Sequence, residues 1–153
     1  MRPPLEFSRG DAFELGEFLR AAGLSAAGIG EPGLALWIDL DPDGRIVGST
    51  GFELVGRDAL LRSVAVGRSL RSRGRGSELV EFALAEAGHL GAERAWALTR
   101  RTGPFWEALG FAATEGPDLA ERLADTHLVR SLVASGLLRY ETAWSRPLTV
   151  PSS

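Results

Sequence analysis

The segment Leu61-Arg62-Ser63-Val64-Ala65-Val66-Gly67-Arg68-Ser69-Leu70-Arg71-Ser72-Arg73-Gly74-Arg75-Gly76-Ser77 changes character abruptly after Val66. Up to that point the chain is a nearly continuous apolar run from Ala59, the pattern of a strand covered on both faces. Residues 67–76 then interleave arginines with small residues, and Leu70 is their only hydrophobic anchor. From Ser77 onward Leu79, Val80, Ala83, Leu84, Ala87 and Leu90 form a helical stripe that Gly91 ends. A buried strand thus runs through an arginine-glycine loop into an amphipathic helix. Gly74 and Gly76 let the backbone bend and present successive amides, and those amides start a helix, where unpaired donors and the macrodipole favour an anion. Arg71, Arg73 and Arg75 add positive charge at the same point, with Ser72 between them. The combination describes a pyrophosphate cradle; the alternative, on the hexapeptide alone, is a solvated surface loop. A dinucleotide fold would instead place G-x-G-x-x-G after its first strand, with an acidic residue about 20 positions on.

Upstream, Ser8 and Asp11 resemble a capping signal, and Phe13, Leu15, Phe18 and Leu19 recur at helical spacing until Gly23. Residues 25–33, rich in Gly and Ala, read as loop. Residues 34–40 are apolar and are followed by the strong turn Asp41-Pro42-Asp43-Gly44, so with 45–55 they predict a hairpin, and 56–58 a second turn. Downstream, a short strand at 94–99, a short helix around 104–109 and a strand opened by Gly110-Phe111 follow. Residues 118–134 read as helix and 139–148 as a closing strand. The expected fold is α/β: a mixed, mostly antiparallel sheet with one strand–loop–helix crossover and flanking helices.

The composition bounds the chemistry. With 153 residues, 44% of them hydrophobic, one domain spanning residues 1–153 is expected. No apolar run approaches the ~20 residues that cross a bilayer, and MRPPLEF lacks a signal-peptide layout, so a cytoplasmic setting and no membrane partner are expected. The absence of cysteine excludes disulfides and thiolate chemistry, and the spacing of His89 and His127 argues against a zinc helix, so no metal is expected. All 17 basic residues are arginine. With no lysine, Schiff-base chemistry and a Walker-type phosphate loop are excluded. The net charge of −3 argues against nucleic acid as the main partner of the arginine cluster.

The layout resembles the GNAT superfamily of N-acetyltransferases. That family's R/Q-x-x-G-x-G/A signature follows a strand ending in an apolar-x-apolar triplet, matched here by Arg71 to Gly76 and Val64-Ala65-Val66. Leu98-Thr99 and Phe105-Trp106-Glu107-Ala108-Leu109-Gly110-Phe111 look like its second block, F-[YF]-x-x-x-G-F, and the likeness covers about residues 45–111. Within the family, Leu61 to Val66 with Leu98-Thr99 is most similar to the arsenic-resistance N-acetyltransferase-like branch. The resemblance implies a V-shaped splay in a twisted sheet and acetyl-coenzyme A as cosubstrate. Its pyrophosphate would rest on the amides of residues 73–77, through Ser77, with Arg71 and Arg73 as supplementary charges. Its pantetheine arm would pair with Val64 to Val66, with Thr99 and Phe105 at the same site, and an amide of Ala65 or Val66 would polarise the thioester. A homodimer is a further family-level expectation.

Acetyl transfer to an amine needs a proton acceptor. The strand carrying residues 60–66 holds no carboxylate, so Glu53 on the preceding strand is the first candidate base, the alternative being an exposed strand residue. Ser63 is expected to orient a water or simply to pack between elements. The family's tyrosine position is Trp106, whose N–H donates a hydrogen bond but is no general acid. A coenzyme A thiolate, with a thiol pKa of ~8.5, leaves without help. Tyr140 reads as a strand packing residue. Arg62, or Arg100 and Arg101 at the cleft mouth, would bind an acceptor carboxylate, unless Arg62 is a surface residue; Trp37 would line the acceptor pocket or belong to the core. The expected function is transfer of acetyl to a small-molecule amine such as an amino acid or related metabolite. The competing reading is a non-catalytic coenzyme A-binding module that kept the donor site and lost its acid.

Overall fold

A computed structural model describes residues 2–68, 74–100, 103–114, 119 and 121–148. Its elements are β1 (Leu5–Glu6), α1 (Ala12–Ala21), β2 (Leu34–Leu40), β3 (Ile46–Val55), β4 (Asp58–Val66), α2 (Arg75–His89), β5 (Arg94–Thr99), α3 (Gly103–Ala108), β6 (Ala112–Thr114), α4 (His127–Ser135) and β7 (Thr142–Pro147). The strands form one seven-stranded sheet in the order β1-β2-β3-β4-β5-β7-β6. Among the described residues, β4 and β5 are the parallel pair, because the α2 crossover returns the chain in the same direction; every other ladder is antiparallel. No helix among the described residues is long and apolar enough to cross a membrane.

Strand alternation divides the core between the two faces. On one face Phe52, Leu61, Ala95, Ala97 and Trp144 meet Val80, Ala83, Leu84 and Ala87 of α2 and Trp106 of α3. On the other, Leu36, Ile38 and Ile46 receive Leu15 and Leu19 of α1, while Leu60, Trp96 and Ala143 receive Leu119, Leu123 and Val129. Both faces of β4 are therefore covered, which is why its sequence is almost uniformly apolar.

The tail departs from the expected single helix and long strand. Thr126 caps α4, its hydroxyl accepting the Val129 amide at 3.2 Å, so the helix starts at His127. Asp118, where the expected helix began, lies outside the described residues. Leu138–Tyr140 form a 3₁₀ turn, and β7 begins only at Thr142. Tyr140 is thus 55% exposed, with the Arg139 guanidinium over its ring, rather than packed in a strand.

Candidate active site

The sheet opens at its centre. Pairing between β4 and β5 runs from Asp58↔Arg94 to Leu61↔Ala97, while β4 continues to Val66 and β5 to Thr99. Beyond the last pair the strands splay into a V. The cause lies in β4: its register against β3 passes from Gly51↔Arg62 to Ser49↔Ala65, so Ser63 and Val64 face the single residue Thr50. This β-bulge contains Ser63 at φ 60°, an unfavourable conformation for a residue with a Cβ. The Ser49 hydroxyl donates to the Ser63 carbonyl at 2.6 Å and holds the bulge. The extra residue inverts the alternation, so Leu61 and Val64 both face the α2 core while Ala65 joins Leu36 and Ile38 on the other face. The bulge re-aims the main chain of Val64 to Val66 at the mouth of the V.

Next to that mouth, α2 starts at Gly74, which adopts the left-handed conformation (φ 78°) and brings no side-chain cap to the first-turn amides. A Cβ at Gly76 would stand 3.7 Å from both Phe105 Cε1 and Val66 Cγ2, so the helix start, the end of β4 and α3 converge there. Gly76 and Ser77 bring their amides to this point. Arg71, Ser72 and Arg73 lie outside the described residues. Arg75 does not add free charge: its Nε and Nη2 donate to Asp39 Oδ2 and Oδ1 at 2.7 and 2.6 Å, in a bidentate pair buried against β2. That hydrogen bonding raises the Arg75 pKa above its usual value. Its side chain anchors the helix start to the sheet.

On the opposite face Glu53 and Arg62 form a second buried pair, Oε2 to Nη1 at 3.0 Å, with side chains only 4% and 1% exposed. Glu53 also accepts the His127 amide at 2.6 Å and the Leu128 amide at 3.1 Å, so its carboxylate caps the N-terminus of α4. Arg62 further donates to the Ser63 hydroxyl and the Ser25 carbonyl, at 3.2 and 3.3 Å. Burial pushes its guanidinium pKa down, against the raising effect of Glu53. The 25–33 loop closes over this cluster. Its Pro32 carbonyl accepts from His127 Nε2 at 3.2 Å, and a Cβ at Gly28 would lie 2.6 Å from the His127 ring.

The sequence model of the Acetyltransferase (GNAT) family matches residues 6–111. The chain belongs to that family. Comparison with curated protein sequences finds no match. Among solved structures, a GNAT-family acetyltransferase from Staphylococcus aureus Mu50 is similar with a TM-score of 0.73 at 15% identity, covering 96% of this chain and 99% of that one. A Mycobacterium tuberculosis protein solved with CoA and NLQ gives 0.70 at 17% identity, covering 95% and 100%. N-acetylglutamate synthase from Neisseria gonorrhoeae, solved with coenzyme A and N-acetyl-glutamate, gives 0.68 at 17% identity; 93% of this chain matches 34% of that larger one. These likenesses show the GNAT fold.

Within this GNAT fold several side chains take tasks other than those expected. Glu53 is neither an exposed strand residue nor a free base: three donors occupy its carboxylate and it ties β3 to β4 and α4. Arg62 is no surface residue, and its donors are engaged within the protein rather than offered to an acceptor carboxylate. Trp37, half-buried, packs on Phe52 and edge-on to Phe82 of α2, at the margin of the α2-side core. Trp106, at the family's tyrosine position, is buried and packs edge-on against both Phe105 and Phe111, and its indole N–H is no general acid. Ser63 is buried at the bulge, where its hydroxyl accepts from Arg62 Nε. Thr99 ends β5 opposite Thr142. The Asp39–Arg75 pair and the capping role of Glu53 had no signature in sequence, because their partners are brought together only by the sheet.

Proposed function

We propose that this chain transfers the acetyl group of acetyl-coenzyme A to the amine of a small molecule, such as an amino acid or related metabolite. The observation that carries the proposal is the V between β4 and β5 opening beside the side-chain-uncapped start of α2. The amides of residues 73–77, assisted by Arg71 and Arg73, hold the pyrophosphate. Val64, Ala65 and Val66 receive the pantetheine arm as an added strand, flanked by Thr99 and Phe105, and an Ala65 or Val66 amide polarises the thioester carbonyl. Coenzyme A leaves as its thiolate without an acid from Trp106. The proposal extends to one domain over residues 1–153, a cytoplasmic setting, a homodimer, no metal, and no nucleic-acid or membrane partner. The likeness of Leu61 to Val66 and Leu98-Thr99 to the arsenic-resistance N-acetyltransferase-like branch supports a small-molecule acceptor.

A second reading, a coenzyme A-binding module without turnover, is favoured by the buried position of Trp106 and the three donors that engage the Glu53 carboxylate. One experiment separates the two: thermal unfolding with and without acetyl-CoA, followed by thiol release against a panel of amines and amino acids. The proposed function predicts a raised melting temperature, lost in an Arg71→Glu, Arg73→Glu double variant, and thiol release with at least one acceptor. A shift without release supports the module. No shift refutes both.

A further inference from the structure

With Glu53 engaged by three donors, the cleft needs another proton acceptor, and the residue leading into β7 supplies one. Among the described residues, two buried side-chain polar atoms have no hydrogen-bond partner, Glu141 Oε2 and Trp144 Nε1, and both belong to β7 or the residue that leads into it. Trp144 packs in the α2-side core. Glu141, by alternation, lies on the other face with Ala143, where Arg62 and the start of α4 stand. Its register is informative: Thr99 pairs with Thr142, so Glu141 stands opposite Arg100, where β5 leaves the sheet. Leu61↔Ala97 is the last β4–β5 pair, which puts this point level with the bulge and beside the open end of the V.

The surroundings suit a base rather than an ion pair. The Glu141 side chain is only 13% exposed, and its nearest cation among the described residues, Arg100 Nε, is 3.9 Å away on a half-exposed side chain. Arg100 is the charged group facing it among the described residues; Leu98, Leu138 and Ala143 on the same face are apolar. Burial therefore raises the carboxyl pKa, and Arg100 opposes this only in part.

We infer that Glu141 is the carboxylate that takes the proton from the acceptor amine, an assignment that rests on the acetyltransferase function proposed above. The acceptor ammonium gives one proton to Glu141 Oε2, directly or through a water. The freed lone pair forms the C–N bond at the thioester carbonyl, and the C–S bond breaks. The second N–H proton neutralises the departing thiolate, and Glu141 returns its proton to solvent.

The test compares the wild type with Glu141→Gln and Glu141→Asp. Its readouts are the melting shift with acetyl-CoA and thiol release as a function of pH, with the twenty common L-amino acids and short polyamines as acceptors. The expected result is a Glu141→Gln protein that keeps its fold and its acetyl-CoA shift. Its kcat falls at least ~100-fold and the acid limb of the wild-type pH profile disappears. Glu141→Asp retains a limb, displaced in pH, and recovers part of the rate. Glu141→Gln activity within threefold of wild type, or lower activity with the acid limb unmoved, overturns the assignment. Should Glu141→Gln not fold, an unmoved limb in Glu141→Asp overturns it equally. A wild type that binds acetyl-CoA but acetylates nothing in the panel refutes instead the enzymatic function on which the assignment rests.

Discussion

Replacing Glu53 by glutamine separates a structural anchor from a catalytic base. In the folded protein the Glu53 carboxylate is the counter-charge to a guanidinium whose side chain is 1% exposed, and it accepts two amides at the start of α4. A glutamine oxygen still accepts, but it leaves the Arg62 charge buried and uncompensated. Removing one partner of a buried pair costs about 3–5 kcal/mol. For a chain of this length, at ~2–4 °C per kcal/mol, that corresponds to a fall in melting temperature of roughly 6–20 °C. Coupling the change to Arg62→Met removes the stranded charge, and the double variant regains most of the loss because an apolar side chain replaces the guanidinium. The assay is thermal unfolding of the wild type, Glu53→Gln and Glu53→Gln/Arg62→Met, with acetyl transfer measured on each below its transition. An anchor predicts an unstable single variant and a double variant with both stability and activity restored to near wild type. A single variant within 2 °C of wild type (against the ~6 °C lower bound from the cited cost) but catalytically dead would refute this reasoning and return Glu53 to the role of base.

Further outcomes follow from the same geometry. Asp39→Asn removes the bidentate partner of Arg75 and leaves it Glu78 Oε1 at 3.5 Å; it should cost about 1–3 kcal/mol and, by loosening the start of α2, weaken acetyl-CoA binding measured by calorimetry. Gly28→Ala should lower the melting temperature more than Gly44→Ala. Both glycines have positive φ, but a Cβ at Gly28 meets the His127 ring at 2.6 Å while nothing lies within 4 Å at Gly44. Ser63→Val places a β-branched residue at φ 60° and should cost ~1–3 kcal/mol in denaturant unfolding. Glu141 has a folded pKa raised above the ordinary carboxylate value of 4.5, so its native state binds the proton more tightly than the unfolded chain. Its stabilising contribution is complete below that value and is lost as pH rises through the folded pKa. The melting temperature of Glu141→Gln relative to wild type should therefore rise across that window and then level off; a flat difference would remove the buried-carboxylate argument.

Much of this protein is written locally. The apolar run ending at Val66, the glycines at 74 and 76 and the stripe from Leu79 to Leu90 each act over a few residues, through burial pattern, backbone freedom and helical periodicity. The order of strand, loop and helix could therefore be read without coordinates. The hairpin at Asp41-Pro42-Asp43-Gly44 was legible for the same reason, its turn closed by hydrogen bonds among neighbours. The tail was not, because the capping threonine at 126 sits inside an otherwise helical pattern, and the break is marked by its hydroxyl bond to Val129 and by the distant Glu53 carboxylate.

What tertiary structure alone decided is the work of each charged side chain. Arg75 looked like a phosphate ligand and Glu53 like an exposed carboxylate or a base, yet their partners stand 36 and 74 residues away in sequence. A charge buried on folding must find a partner wherever the sheet and helices bring one, and no local pattern encodes that meeting. The bulge at Ser63 is of the same kind, since it exists only as a mismatch in register between two strands. The sequence determined where the buried strand gives way to the helix. The fold determined which arginines and carboxylates are spent pairing inside the protein, because desolvation leaves a buried charge no alternative to pairing or to a shifted pKa.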